Sequence, residues 1–326
     1  MKRFVRYLLY IPVTLIIIAV VFVGWIMATK PNVGPAENMN IERTPERIAR
    51  GEYLANHVML CMDCHAIRDF RYFAGPISPG TEGSGGQVFD QSMGFPGRFI
   101  SRNITPAGIG DWTDGEIYRA ITTGVTRDGH AIFPVMPYAN YALLDPEDIK
   151  SVIAYIRTLQ PNNVEIEKSK SDFPFNIIMR TIPQKAEPMP RPDPSETVAY
   201  GKYMVTAGAC RECHTKFEGG KFVGPPLAGG RSFVFPNGGI LTSPNLTPHL
   251  TGLGEWTKEK FISTFKQYSD SSYLTQPLQP GHMQTLMPWI MYAGMHESDL
   301  GAIYDYLQSL DPVENEVVKY VPPKSK

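Results

Sequence analysis

The chain has 326 residues, enough for two ordinary domains, and a formal net charge of −1. Charge this evenly balanced leaves no electrostatic footprint for nucleic acid, which is excluded as a partner. The 29 glycines and 29 prolines promise abundant loops, and the four cysteines all fall in one local pattern, which argues against two disulfides.

Lys2, Arg3 and Arg6 precede an uncharged run from Tyr7 to Ala28. As a helix rising about 1.5 Å per residue, this run crosses a hydrocarbon core of roughly 30 Å. Pro12 lies near its start, where a helix tolerates proline best, and Tyr7, Tyr10 and Trp25 sit near its ends. Residues 1–29 therefore read as a single-span anchor with the lipid bilayer as partner. A cleaved signal peptide is the alternative, but Ile26-Met27-Ala28 is a poor cleavage site. Basic residues ahead of the span put the N-terminus in the cytoplasm and the rest outside. For a bacterium this means the inner membrane, with the remaining chain in the periplasm.

Beyond a polar tether, one unit occurs twice. Ala49-Arg50-Gly51-Glu52-Tyr53-Leu54 leads to Cys61-Met62-Asp63-Cys64-His65, and Ala199-Tyr200-Gly201-Lys202-Tyr203-Met204 leads to Cys210-Arg211-Glu212-Cys213-His214. A Gly-Pro pair follows each His at the same spacing, ending at Pro76 and Pro225. Ser101-Arg102-Asn103-Ile104-Thr105-Pro106 then matches Ser243-Pro244-Asn245-Leu246-Thr247-Pro248, and each is followed by Gly-x-Gly-x-Trp at Trp112 and Trp256. A helical stretch brings each copy to Val135-Met136-Pro137-Tyr138 or Leu286-Met287-Pro288-Trp289. The last helices are expected over 145–159, N-capped by Asp145, and 297–310. The fold class that follows is mainly α: two tandem helical domains, 43–160 and 196–315, after one transmembrane helix. Residues 161–195 read as a linker, with the apolar island Phe173-Pro174-Phe175-Asn176-Ile177-Ile178 expected to pack on a domain.

C-x-x-C-H is the attachment signature of haem c: two thiols one helical turn apart form thioethers to the porphyrin, and the adjacent His meets the iron. Zinc or a thioredoxin-type redox pair is the bland reading, but further zinc ligands and a βαβ context are missing from the pattern. Two covalent haems c are expected, held by Cys61, Cys64 and His65 and by Cys210, Cys213 and His214. Met136 and Met287 recur at nearly equal distance after each His, in a bend before the last helix, and are the expected second iron ligands. Met93, Met283, Met291 and Met295 are weaker rivals, the last two being spaced like core residues. His57, His130, His249, His282 and His296 lack counterparts at matching positions. The Pro76 and Pro225 carbonyls are expected to hold the proximal histidines. Asn103, Asn245, Trp112 and Trp256 are expected to donate to haem propionates, with plain core packing as the alternative for the two Trp.

At these residues the chain resembles class I-like cytochrome c domains, and more narrowly the multihaem cytochrome c subunits of membrane-bound alcohol and gluconate dehydrogenases. Asn103-Ile104-Thr105-Pro106, Val135-Met136-Pro137-Tyr138 and Phe173-Pro174-Phe175-Asn176 carry the narrower likeness. The resemblance implies electron transfer without bond-making on a substrate. Its donor would be a membrane-bound dehydrogenase or a quinol-oxidising complex; its acceptor a terminal oxidase, quinone or soluble cytochrome. A dihaem peroxidase is the alternative, against which the paired Met loops weigh. A dihaem thiosulfate dehydrogenase would use a Cys ligand, and no cysteine is spare.

Overall fold

The computed structural model describes residues 2–29, 31–235, 237–270, 277–279 and 281–323. Helix α1 (Lys2–Ala28) carries Pro12 in its first half, and its stretch Tyr10–Ala28 is long and apolar enough to cross a membrane.

The first repeat opens with α2 (Pro45–Tyr53), whose Thr44 side chain accepts from Arg47 N at 3.3 Å and which has Pro at N1. A π-turn, Leu54–Val58, follows, then α3 (Cys61–Cys64), strands β1 (Val88–Phe89) and β2 (Gly97–Ile100), and α4 (Pro106–Ile109). Helix α5 (Asp114–Thr123) starts on a capping box in which Thr113 and Glu116 each bond the other's backbone N–H. Helices α6 (Tyr138–Tyr141) and α7 (Pro146–Ile156) complete the helical part, and α7 is N-capped by Asp145 as expected.

Strand β3 (Lys170–Ser171) and α8 (Phe175–Ile178) come from the segment expected to be a linker. In the second repeat, α9 (Thr197–Ala207) and α10 (Cys210–His214) precede a hairpin of β4 (Phe217–Glu218) and β5 (Lys221–Phe222). Strands β6 (Ser232–Val234) and β7 (Ile240–Thr242), then α11 (Lys258–Lys266), α12 (Trp289–Tyr292), α13 (Glu297–Gln308) and β8 (Tyr320–Val321) follow.

The dominant contacts are α2 on α7 and α9 on α13. Both crossings pivot on a glycine: a Cβ on Gly51 would lie 1.8 Å from the Ser151 carbonyl oxygen, and one on Gly201 1.9 Å from that of Ala302. Without side chains there the helices approach backbone to backbone, as α2 and α9 require of the repeated glycine.

Short antiparallel ladders supplement the helices. Their order is β1-β2-β3 in the first repeat and β6-β7-β8 in the second. In each, the strand after the last helix returns to close the ladder: Gly97 pairs with Ser171, and Ile240 with Val321. Strand β3, from the segment expected to be a linker, is thereby part of the first repeat's sheet. Two-residue strands show no periodicity, so neither β3 nor β8 was visible beforehand. The rest of 161–195 is also pinned, with Glu187 N and Met189 N donating to the carbonyls of Ala142 and Leu143.

Buried apolar residues of both repeats merge into one core, from Leu54, Val58 and Ile149 through Tyr200 and Met204 to Leu300 and Leu307. Across the boundary two hydrogen bonds mirror each other. Tyr53 donates to Asp299 (2.6 Å), and Tyr203, at the matching place in α9, donates to Asp148 (2.7 Å).

Candidate functional site

Each motif is a single helical turn launched from a left-handed residue: Leu60 (φ 58°) before α3 and Ala209 (φ 51°) before α10. Non-glycine residues rarely adopt this conformation, so the same costly bend in both copies is held in place by the surrounding core. The four cysteines are not paired with one another. Burial pushes the thiols of Cys61, Cys64 and Cys210 up to about 12, and that of Cys213 upward too. Among the described residues, no group of three or more His, Cys, Asp and Glu side chains is placed to hold a metal ion.

His65 Nδ1 lies 2.7 Å from the Arg102 carbonyl oxygen, and His214 Nδ1 lies 3.0 Å from that of Pro244. A carbonyl only accepts, so each Nδ1 carries the proton and each Nε2 offers a lone pair. Burial lowers both imidazole pKa values, against the smaller raising effect of the carbonyl, and favours the neutral ligand form. These partners correct the expected ones. The Pro76 carbonyl accepts instead from Asp69 N (2.8 Å) and that of Pro225 from Ala228 N (3.4 Å), so both serve local turns.

What delivers Arg102 and Pro244 is a pair of glycines that the reading of the repeat passed over. Gly85 N and Gly229 N donate to the carbonyls of His65 and His214 (3.0 and 2.8 Å), while Gly86 N and Gly230 N donate to those of Ser101 and Ser243. Gly85 and Gly229 have φ of +74° and +78°, and an added Cβ would come within 2.5 Å of the Arg102 carbonyl carbon or 2.6 Å of the Pro244 one. A Gly-Gly pair between each His and the Asn-x-Thr-Pro segment was the available signal, though its distance from the His differs between the two copies.

Asn103 and Asn245 play matching parts in the two copies. Asn103 Nδ2 donates to the Asn162 carbonyl (2.6 Å) while its Oδ1 accepts from Thr105 N and Oγ1 (2.9 and 2.7 Å). Asn245 repeats this with Val313 (2.7 Å) and Thr247 (2.9 and 2.8 Å). Both amides tie the chain leaving the last helix to the loop that carries the His partner. Trp112 and Trp256 are half-buried against the core, and their carbonyls accept from Arg157 and from Tyr304.

Met136 and Met287 lie just before α6 and α12, half-buried and packed on the same core as Cys61 and Cys210. Met291 and Met295 are buried core residues, whereas Met283 is exposed. His57 holds the boundary between repeats, with Nδ1 3.1 Å from the Met291 carbonyl oxygen; a Cβ on Gly294 would sit 2.0 Å from that nitrogen.

The motifs lie near each other across this boundary. After burial and the charge of Asp63, Cys213 adds to the upward shift of Cys64, and Asp63 adds to that of Cys213. Asn140 Nδ2 of the first repeat donates to Glu212, between Cys210 and Cys213 (3.3 Å). Tyr141 and Tyr292 donate to the carbonyls of Met59 and Gly208, immediately before each motif.

Residues 198–311 match the family model for cytochrome c. The chain carries a cytochrome c domain. Homologues extend the likeness beyond that stretch. The chain is 27% identical over 288 residues to the cytochrome c subunit of a quinone alcohol dehydrogenase from Gluconobacter oxydans (strain 621H), covering 82% of this chain and 55% of the relative. It is 31% identical over 182 residues to a gluconate 2-dehydrogenase cytochrome c subunit from Pantoea cypripedii, covering 52% and 38%. To a diheme cytochrome c-type protein from Cereibacter sphaeroides it is 31% identical over 200 residues, covering 58% and 63%. The chain thus spans less than two thirds of each of these relatives.

Proposed function

We propose that the chain is a membrane-anchored dihaem cytochrome c that passes single electrons from a membrane-bound dehydrogenase or quinol-oxidising complex to a quinone, terminal oxidase or soluble cytochrome. Residues 1–29 are the anchor, and two cytochrome c domains, 43–160 and 196–315, lie in tandem on the periplasmic side of a bacterial inner membrane. Strands β3 and β8 complete their sheets.

The residues fit haem c in both copies. Cys61 and Cys64, and Cys210 and Cys213, would form the thioethers; His65 with Met136 and His214 with Met287 would hold the iron. When bound, each haem supplies a one-electron iron couple. The protein's part is to fix the imidazoles: each Nδ1 is tied to a backbone carbonyl and each Nε2 stays unprotonated, so the ligand keeps one orientation and one protonation state. Cys61 and Cys210, the first thiol of each motif, are half-buried against the merged core.

The observation that carries this reading is the identical His-to-carbonyl bond in both motifs, built by the same Gly-Gly device. The relatives' names favour relay over a peroxidase. Intact mass of the mature chain tests the count, with two covalent haems expected. Redox titration with absorption spectroscopy tests the role: two low-spin haems with a Met–iron near-infrared band support relay. A high-spin haem with peroxide turnover would overturn it.

A further inference from the structure

The second half of α1 is not uniformly bare. Of its described side chains, only Val23 and Ile26 are half-buried; the others are exposed. The elements packed there are α8 and the 3₁₀ turn Met179–Thr181. Arg180 fastens them, its Nε 3.2 Å from the Ile26 carbonyl oxygen and its Nη2 2.8 Å from that of Thr29. A guanidinium at a helix C-terminus satisfies free carbonyls and meets the negative end of the dipole.

This attachment sets a depth. At about 1.5 Å rise per residue, Val23 lies about 7 Å inside the end of the span at Ala28. Segments that lie in the interface seat their apolar side roughly 5–10 Å into the headgroup–acyl boundary. Around this attachment the chain presents large apolar side chains outward: Phe173 is 80% exposed and Ile178 48% exposed. In water these are exposed hydrophobes with no evident purpose; beside a membrane span at this height they face lipid.

We propose that residues 173–182 seat in the outer lipid–water interface alongside α1, with Phe173 and Ile178 in the acyl boundary. The proposal rests on the anchor reading. The seat is wired to the first motif's ligand loop: Phe175 packs edge-on against Phe133 (5.6 Å), Phe133 stacks on Phe99 (3.8 Å), and the Phe133 carbonyl accepts from Met136 N (3.2 Å). It therefore holds the first site at a fixed height and tilt above the bilayer, where a tether alone would let it swing.

The test uses the full haem-loaded chain in phosphatidylcholine–phosphatidylglycerol vesicles, with an environment-sensitive fluorophore on Phe173→Cys, Ile178→Cys or Leu250→Cys. Leu250, 74% exposed in the second repeat, is the aqueous reference. The expected result is blue-shifted emission at 173 and 178, quenched by acyl-chain nitroxide lipid and protected from iodide, with the reverse at 250. Vesicle flotation reads the anchor separately. A chain that does not float overturns the anchor and this seat with it. One that floats yet shows iodide quenching at 173 and 178 equal to that at 250, or shielding from both quenchers, overturns the seat alone.

Discussion

A methyl group added to Gly85 or Gly229 meets two penalties at once. The left-handed backbone alone costs about 1–3 kcal/mol for a side-chain-bearing residue. The Cβ must also push away the Arg102 or Pro244 carbonyl group that orients the proximal imidazole. Gly85→Ala and Gly229→Ala are therefore expected to lower the urea midpoint by more than strain accounts for and to shift the potential of the haem in the same repeat. Gly220→Ala is the control, having φ of +81° but nothing within 4 Å of its Cβ, so it should carry strain alone and leave both potentials unchanged. Equal effects at all three sites would remove the orienting role. The proposed iron ligands separate in the same way: Met136→Ala and Met287→Ala should each abolish about half of the near-infrared Met–iron absorbance and lower one potential. The two Cys-x-x-Cys-His motifs were legible because the thioether chemistry proposed for them would fix their spacing. The His partners were not, because a backbone carbonyl thirty or more positions away leaves no side-chain signature.

Helix contacts obey a different balance. Alanine at Gly51 or Gly201 would gain about 1 kcal/mol of helix propensity. Against this stands a Cβ under 2 Å from a carbonyl oxygen in the crossing helix, and overpacking of a tight core costs typically about 1–3 kcal/mol or more. A clash with backbone puts the packing cost near about 3 kcal/mol, so Gly201→Ala is expected to be destabilising by about 2 kcal/mol net in chemical denaturation. A stabilised variant would mean the α9–α13 contact is looser than described. At this scale the sequence was most readable for α7, where Asp145-Pro146-Glu147 spells a cap and a first turn. It was less so for α13, where His296 occupies the cap position without a side-chain bond. Strand β3 was unreadable, since only Gly97 and Ser171 coming together reveal it.

The whole molecule is joined by the mirrored tyrosine–aspartate bonds, and these make its stability depend on pH in a definite direction. The Asp148 side chain is 2% exposed and takes Arg50 Nε and Nη2 (3.0 and 2.9 Å), Arg191 Nη1 (2.7 Å) and Tyr203 OH (2.7 Å). Burial, the largest single influence, would raise its pKa; Arg50, Tyr203 and Arg191 together outweigh it and hold the carboxyl below its ordinary value. With the folded pKa depressed, the unfolded chain takes the proton first. The stabilisation is therefore complete above the unfolded carboxyl pKa of about 4 and is lost as pH falls through the folded value. Because Arg50 and Arg191 are partly exposed, Asp148→Asn is expected to cost roughly 1–3 kcal/mol at pH 7 and to flatten the acid limb of a urea-stability profile. Tyr203→Phe leaves both guanidinium partners in place, so it should weaken the link between repeats while preserving most of the acid limb. Paired with Tyr53→Phe, which cuts the mirrored bond to Asp299, it should split one unfolding transition into two as the repeats lose their coupling. A single transition in the double variant would show that the shared apolar core, rather than the hydroxyl pair, holds the two sites in register.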